Sequence, residues 1–345
     1  MKIINYHNTP ILIGADFGKF EQLLTENTNF STASKLILLI DANVYSSGAY
    51  NFDGFDFIVI PAGEGSKSLS YVEELIEQLL NKGLDRSGFL VGIGGGVVCD
   101  LTGFVASVFM RGIDFAFVPT SLLAQVDAAI GGKNGVNLAS FKNMIGTFTQ
   151  PKMILIDLNF LLTLPQNELI SGMAEVVKHA AIRDTNYFDY LEDHIAGILS
   201  RNKDMLLEVV LRSVEIKAQI VQEDELEQGL RKLLNFGHTF GHAIEKTLQI
   251  PHGEAVSLGM CIANRLAVLE GHLELNDAIR LENLLNRIGL PTDWSKIKLT
   301  DLEPLIFKDK KRNAKRIDFV LLSEVGSAFI APKSLDDIHD LIAQI

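Results

Sequence analysis

"GFLVGIGGGVVCDLTGF", residues 88–104, runs from an apolar segment through three consecutive glycines, Gly94, Gly95 and Gly96, into apolar residues at helical spacing. It reads as a buried strand, a tight turn and a helix opening near Val97. Glycine lets the main chain approach a pyrophosphate, and the first turn of a helix offers unpaired N–H groups and a partial positive charge. A dinucleotide suits such a turn. The match to GxGxxG is imperfect, because with Gly94 and Gly96 as the first two glycines Cys99 stands where the third Gly or Ala belongs. A plain strand–helix turn explains the same residues.

Working outward, short β-branched runs alternate with helical stretches: "KLILLID" ending at Asp41, "FDFIVIPAGEG" (55–65), "DFAFVPTS" (114–121) and "KMILIDL" (152–158). This rhythm predicts an α/β, Rossmann-like domain with a mostly parallel sheet, helices on both faces and ligands at the carboxyl ends of the strands. Asp41 ends one such strand, where a carboxylate can accept ribose hydroxyls or merely start a loop. "TLPQNELISG" (163–172) punctuates a change. Beyond it the apolar residues recur at helical spacing, as in 205–221 and 278–291, the latter stopped by Gly289 and Pro291. The expected division is therefore an α/β domain over 1–165 and a mostly α-helical domain over 166–345. "RIDFVLLSEVGSAFIAP" (316–332) alternates like two strands around Gly326 and predicts an appended ribbon.

Composition narrows the class. The chain has 345 residues, 47% apolar and 21% charged, which supports two packed cores rather than disorder. Its net charge of -12 disfavours a broad nucleic-acid contact. No run approaches the roughly 20 apolar residues of a membrane helix, and the N-terminal "MKIINYHNTPILIG" lacks the apolar core of a secretory signal. Cys99 and Cys261 are far apart and outside any CxxC spacing, so a reducing cytoplasm is the expected setting.

Three of the chain's eight histidines cluster in "NFGHTFGHAIEKTLQIPHGEAV" (235–256). His238 and His242, four apart, share one helix face, and His252 opens the next helix after Pro251. Two histidines with a carboxylate make a metal site that keeps an open position. Glu175 in "SGMAEVVKHAAI" is a candidate for that carboxylate, although a helix-surface pair with Lys178 explains it equally well. Spacing does not choose between His238 and His242. Arg111, Lys133, Lys142, Lys217 and Arg231 lie beside glycines or among apolar residues, a pattern suited to a small anion. "IGGKNGVN" (130–137) and "FKNMIG" (141–146) read as loops, "EDELE" (223–227) as a solvated helix end, and "FKDKKRNAKR" (307–316) as an exposed loop or one that closes over an anion.

Taken together, "PAGEGSKS", "GGGVVCDLTGFVASVFMRG", "VPTSLLAQVDAAIGGKNGVN", "KNMIGTF", "SGMAEVVKH", "QGLRKLLNFGHTFGHAIEK" and "HGEAVSLGM" resemble the 3-dehydroquinate synthases along nearly the whole chain. The resemblance implies an NAD-binding domain followed by a helical metal- and substrate-binding domain. It implies Glu175, His238 and His252 as ligands to zinc or cobalt, with His242 facing substrate. The NAD site would use Asp41, Asn43, Glu64, Lys67, Gly95, Gly96, Val97, Asp100, Thr120, Ser121, Lys133, Lys142 and Thr163. Substrate would meet Arg111, Asp127, Lys133, Asn143, Lys178, Lys217, Arg231, Asn235 and His242, with Lys310 or Lys311 added on closure. Three residues depart from the family pattern: Cys99 for glycine, Ser121 for the second threonine of a pair, and Asn167 where arginine often stands. Cys99 is expected to crowd the pyrophosphate and weaken NAD.

The implied reaction converts 3-deoxy-D-arabino-heptulosonate 7-phosphate to 3-dehydroquinate and phosphate. A transient ketone formed by hydride transfer to NAD would acidify the neighbouring C–H, and the hydride would return after phosphate leaves, so no NAD is consumed. The implied partner is a phosphorylated sugar acid, the implied assembly a homodimer. Another sugar-phosphate cyclase, or a metal-dependent NAD-linked alcohol dehydrogenase of similar build, is the alternative.

Overall fold

The computed structural model describes residues 1–139, 141–309, 316–342 and 344; Lys310 and Lys311 lie outside them. The chain divides into two compact units, Met1–Pro165 with Leu206–Gln222, and Gln166–Met205 with Glu223–Ile345. Leu206–Gln222 departs from the expected division. This part of the helix Lys203–Glu223 buries Leu206, Val209, Val210, Ile220 and Val221, and a Cβ on Gly14 would lie 3.4 Å from Leu207. Periodicity dictates that such a segment is helical; it does not dictate which core receives the apolar stripe.

The first unit contains strands β1 (Lys2–Tyr6), β2 (Thr9–Ile13), β3 (Leu36–Asp41), β4 (Asp56–Ile60), β5 (Phe89–Gly94), β6 (Asp114–Pro119), β7 (Lys133–Leu138), β8 (Phe141–Phe148) and β9 (Met153–Ile156). Seven of them form one sheet in the order β1-β2-β9-β6-β5-β3-β4. Only β1 with β2 is antiparallel; the other pairs are parallel. Every residue of β5 and of β9 is buried, which is why these strands read as unbroken apolar runs rather than alternations. The chain goes from β3 outward to β4 and then returns to β5 on the other side of β3. Strand order thus reverses between β3 and β5, and the carboxyl ends of these two strands carry Asp41 and Gly94. Open parallel sheets bind ligands at such a reversal.

The stretches 130–137 and 141–146, expected as loops, instead supply an antiparallel hairpin, β7 with β8. Its glycines and asparagines hide the strand signal, and docking on the helix Gly96–Val108 fixes the pairing: Thr147 Oγ1 donates to Ser107 Oγ at 3.0 Å.

In the second unit the helix His252–Leu269 is the hub. Gly253 and every residue from Ala255 to Asn264 are buried, as expected of a helix surrounded by others. The helices Gln166–Arg183, His238–Leu248 and Leu275–Ile288 pack on it. Gly289, at φ +94°, ends the last of these in the left-handed conformation that glycine tolerates. The appended ribbon is present as β10 (Arg316–Glu324) with β11 (Ser327–Ser334).

Candidate active site

In the first unit, the turn after β5 leads into the helix Gly96–Val108, with Gly95 as its N-cap. Gly95, Gly96 and Val97 are only half-buried, while the strand leading to them is closed off. A Cβ on Gly95 would meet nothing nearer than Ser121 Oγ at 3.5 Å, so an open cradle faces the helix N-terminus, and a pyrophosphate fits it. Asp41 caps the short helix after β3, accepting from Asn43 N at 2.8 Å. Thr120 N is tied to Gly94 O at 2.9 Å, and Ser121 Oγ accepts from Ala124 N at 3.2 Å. Thr163 ends the helix Asn159–Thr163 and donates to Phe160 O at 3.3 Å.

A polar web surrounds Lys67, which is buried. Its ammonium pairs with Asp100 and donates to Asn143 Oδ1 at 2.6 Å. Asn137 holds the web together: its amide donates to Glu64 Oε2 at 2.9 Å and its carbonyl oxygen accepts from Asn143 N at 3.0 Å. Burial pushes the Asp100 carboxyl up to about 6, against the pull of Lys67. Asp127 lies in a π-helical turn, Ala124–Ala128, an irregularity frequent at functional sites. Its Oδ1 accepts from Lys217 at 2.5 Å and its main-chain oxygen from the same ammonium at 2.6 Å. Lys133 and Lys142 are exposed. Arg111 is not brought to this group. It lies beyond the far end of the helix Gly96–Val108, exposed, with φ +69°, and 13 helical residues separate the two ends by about 20 Å.

Cys99 does not face the cradle. It is 1% exposed, and its Sγ lies 3.9 Å from Gly94 O, inside the core. A Cys99→Gly substitution is accordingly expected to leave NAD affinity within about twofold. It should lower unfolding free energy by about 2 kcal/mol, from lost burial and glycine in a helix interior. Calorimetric titration and a urea melt measure the two quantities.

In the second unit, Glu175 lies on the helix Gln166–Arg183 at 0% exposure, so it is no solvated helix carboxylate. Its Oε2 pairs with Lys178, itself 1% exposed. Its Oε1 lies 3.4 Å from His238 Nε2 and 3.2 Å from His252 Nε2, and one ligand atom from each of the three residues falls within 4.8 Å of the others. Burial opposes ionisation of Glu175, but Lys178 and the two histidines outweigh it and hold the carboxyl well below its usual range. For His252, burial opposes the charged ring, yet hydrogen bonds to Glu175 and Glu245 push it up to about 9. One carboxylate and two imidazoles fit zinc or cobalt. His242 is exposed, its ring 5.2 Å from that of His238.

Close main-chain packing sets this convergence. A Cβ on Gly253 would lie 2.2 Å from Ser171 O, and one on Gly259 would lie 1.9 Å from Gly237 O. Gly253 follows His252, Ser171 precedes Glu175 by one turn, and Gly237 precedes His238. Nearby, the chain around "EDELE" is a built turn rather than a solvated helix end: Asp224 accepts from Gln228 N, Gly229 N and Arg231 N at 2.7–3.0 Å. Arg231 is buried and donates to Glu225 O; Asn235 donates to Glu227 Oε1 at 2.5 Å. Two residues of these networks, Asn137 and Glu245, escaped the reading of the sequence. Glu245 had a legible signal, since 238, 242 and 245 follow the i, i+4, i+7 spacing of one helix face.

Comparison with known proteins agrees with these features. A family model for the 3-dehydroquinate synthase N-terminal region matches residues 57–171, and one for the C-terminal region matches 172–312. A 3-dehydroquinate synthase from Caldanaerobacter subterraneus subsp. tengcongensis is 44% identical over 317 residues, 89% of each chain. Among solved structures, 2-epi-5-epi-valiolone synthase from Streptomyces hygroscopicus subsp. jinggangensis, with NAD+ and Zn2+ bound, superposes with a TM-score of 0.85 at 28% identity, covering 100% of this chain and 97% of that one. A 2-deoxy-scyllo-inosose synthase complexed with carbaglucose-6-phosphate, NAD+ and Co2+ gives 0.82 at 25% identity, with 99% of each covered. By identity, coverage and both halves of the family pattern, the chain belongs to the 3-dehydroquinate synthase family.

Proposed function

We propose that this chain converts 3-deoxy-D-arabino-heptulosonate 7-phosphate to 3-dehydroquinate and phosphate, with NAD at the Gly94–Gly96 turn and zinc or cobalt at Glu175, His238 and His252. The observation that carries this reading is the approach of two imidazole Nε2 atoms to one buried carboxylate oxygen. When bound, the nicotinamide supplies a reversible hydride acceptor and the cation polarises a hydroxyl.

The chain's own residues do the rest. Lys178 keeps Glu175 ionised and limits its freedom to turn. Arg231, tied at its main chain and guanidinium to Asp224 and Glu225, presents a fixed cation for a phosphate or carboxylate. Lys217 is held in place by two bonds to Asp127, one to its carboxylate and one to its main-chain oxygen. Asn143 and Lys67 hold each other in the same way in the nucleotide-binding unit. In this reading His242, exposed and 5.2 Å ring to ring from His238, exchanges a proton with a phosphate oxygen.

Two further expectations belong to this reading. Both cysteines are free and buried, which suits a reducing cytoplasm. The hairpin β7–β8 exposes Leu138, Phe141, Met144 and Phe148, an apolar surface suited to the interface of a homodimer. No helix among the described residues is long and apolar enough to cross a membrane.

The test is phosphate release from 3-deoxy-D-arabino-heptulosonate 7-phosphate with catalytic NAD+ and zinc. Equal amounts of phosphate and 3-dehydroquinate, with no accumulated NADH, are expected. Net NADH would mark a dehydrogenase, and turnover of a different sugar phosphate alone would mark another cyclase.

A further inference from the structure

The helix His238–Leu248 carries His238, His242 and Glu245 at positions that share a face. Glu245 has no part in the function proposed above. Its Oε2 lies 3.1 Å from His252 Nδ1, while Nε2 of the same ring lies 3.2 Å from Glu175 Oε1. A neutral imidazole carries one proton. Fixing that proton on Nδ1 leaves the lone pair on Nε2, on the side of Glu175 and His238. His238 is backed differently, its Nδ1 lying 3.1 Å from the main-chain oxygen of Phe236. One ring therefore leans on a carboxylate and the other on a neutral carbonyl. A carboxylate acceptor makes the opposite nitrogen the stronger donor to a cation. The Glu245 side chain is only 14% exposed, so water screens this bond little.

We infer that Glu245 is the positioning carboxylate of the metal centre, fixing the tautomer and ring orientation of His252 and thereby the tightness with which a divalent cation is held. The inference rests on the reading of Glu175, His238 and His252 as the metal ligands.

Metal-stripped full-length protein, unaltered and as Glu245→Gln and Glu245→Ala, is titrated with zinc against a chromophoric chelator. Visible spectra of the cobalt-loaded forms are recorded alongside. The unaltered chain should bind one zinc. Glu245→Gln, which keeps an acceptor but loses the charge, should weaken binding about 10-fold, and Glu245→Ala about 100-fold, with shifted cobalt bands in both. A purely structural role would lower the unfolding midpoint of the metal-free variants but leave the zinc Kd and the cobalt spectrum of Glu245→Gln unchanged, and that result overturns the inference. If the unaltered chain takes up no zinc, the ligand assignment itself falls and this inference falls with it.

Discussion

Replacing Glu175 by alanine is expected to remove stoichiometric zinc and, with it, turnover. The residue supplies the carboxylate oxygen that both His238 Nε2 and His252 Nε2 approach, at 3.4 and 3.2 Å, and two imidazoles alone make a weak site. The fall in zinc affinity should exceed the 10- to 100-fold typical of a partner one shell further out. A polarising cation contributes several kcal/mol to such chemistry, so turnover should drop by about 10³-fold. The same substitution takes the counter-charge from Lys178, which is 1% exposed, at a cost of about 3–5 kcal/mol. Glu175→Gln, nearly isosteric, separates loss of charge from loss of packing. Elemental analysis with the phosphate-release assay reads both effects, and retention of one tightly bound zinc in both variants would remove Glu175 from the ligand set.

A second large effect is expected from a methyl group. In an ordinary helix interior, glycine to alanine stabilises by about 1 kcal/mol. At Gly259 the sign should reverse, because the new Cβ would lie 1.9 Å from Gly237 O and 2.8 Å from Gly241 N, both main-chain atoms that cannot rotate away. Relieving the overlap must spread the helices His238–Leu248 and His252–Leu269, which carry the two imidazoles. Gly259→Ala should therefore lower unfolding free energy by about 3 kcal/mol and weaken zinc binding, although residue 259 touches no cation. Urea melts with and without zinc measure this. A variant as stable as its parent, binding zinc equally well, would show that the glycine contact does not set the distance between the histidines.

Some of this was legible without coordinates. The strand–glycine–helix stretch 88–104 carries its own period and its own breakers, and the αL stop at Gly289 and the ribbon around Gly326 follow from the chemistry of single residues. Such features are local, set by backbone sterics and by the spacing of apolar residues, so the sequence alone determined them. The types of residue gathered for the cation, a carboxylate and histidines, were legible for the same reason.

Tertiary packing decided the rest. The helical segment Leu206–Gln222 joined the α/β unit because its stripe fits that core. Asparagine- and glycine-rich stretches became the hairpin β7–β8 because a helix was there to receive them. Cys99 turned inward, Arg111 lay about 20 Å from the glycine turn, and Glu245 found His252 across seven residues and a turn. Which atom a side chain finally meets depends on partners distant in sequence, and spacing along one chain carries no record of them.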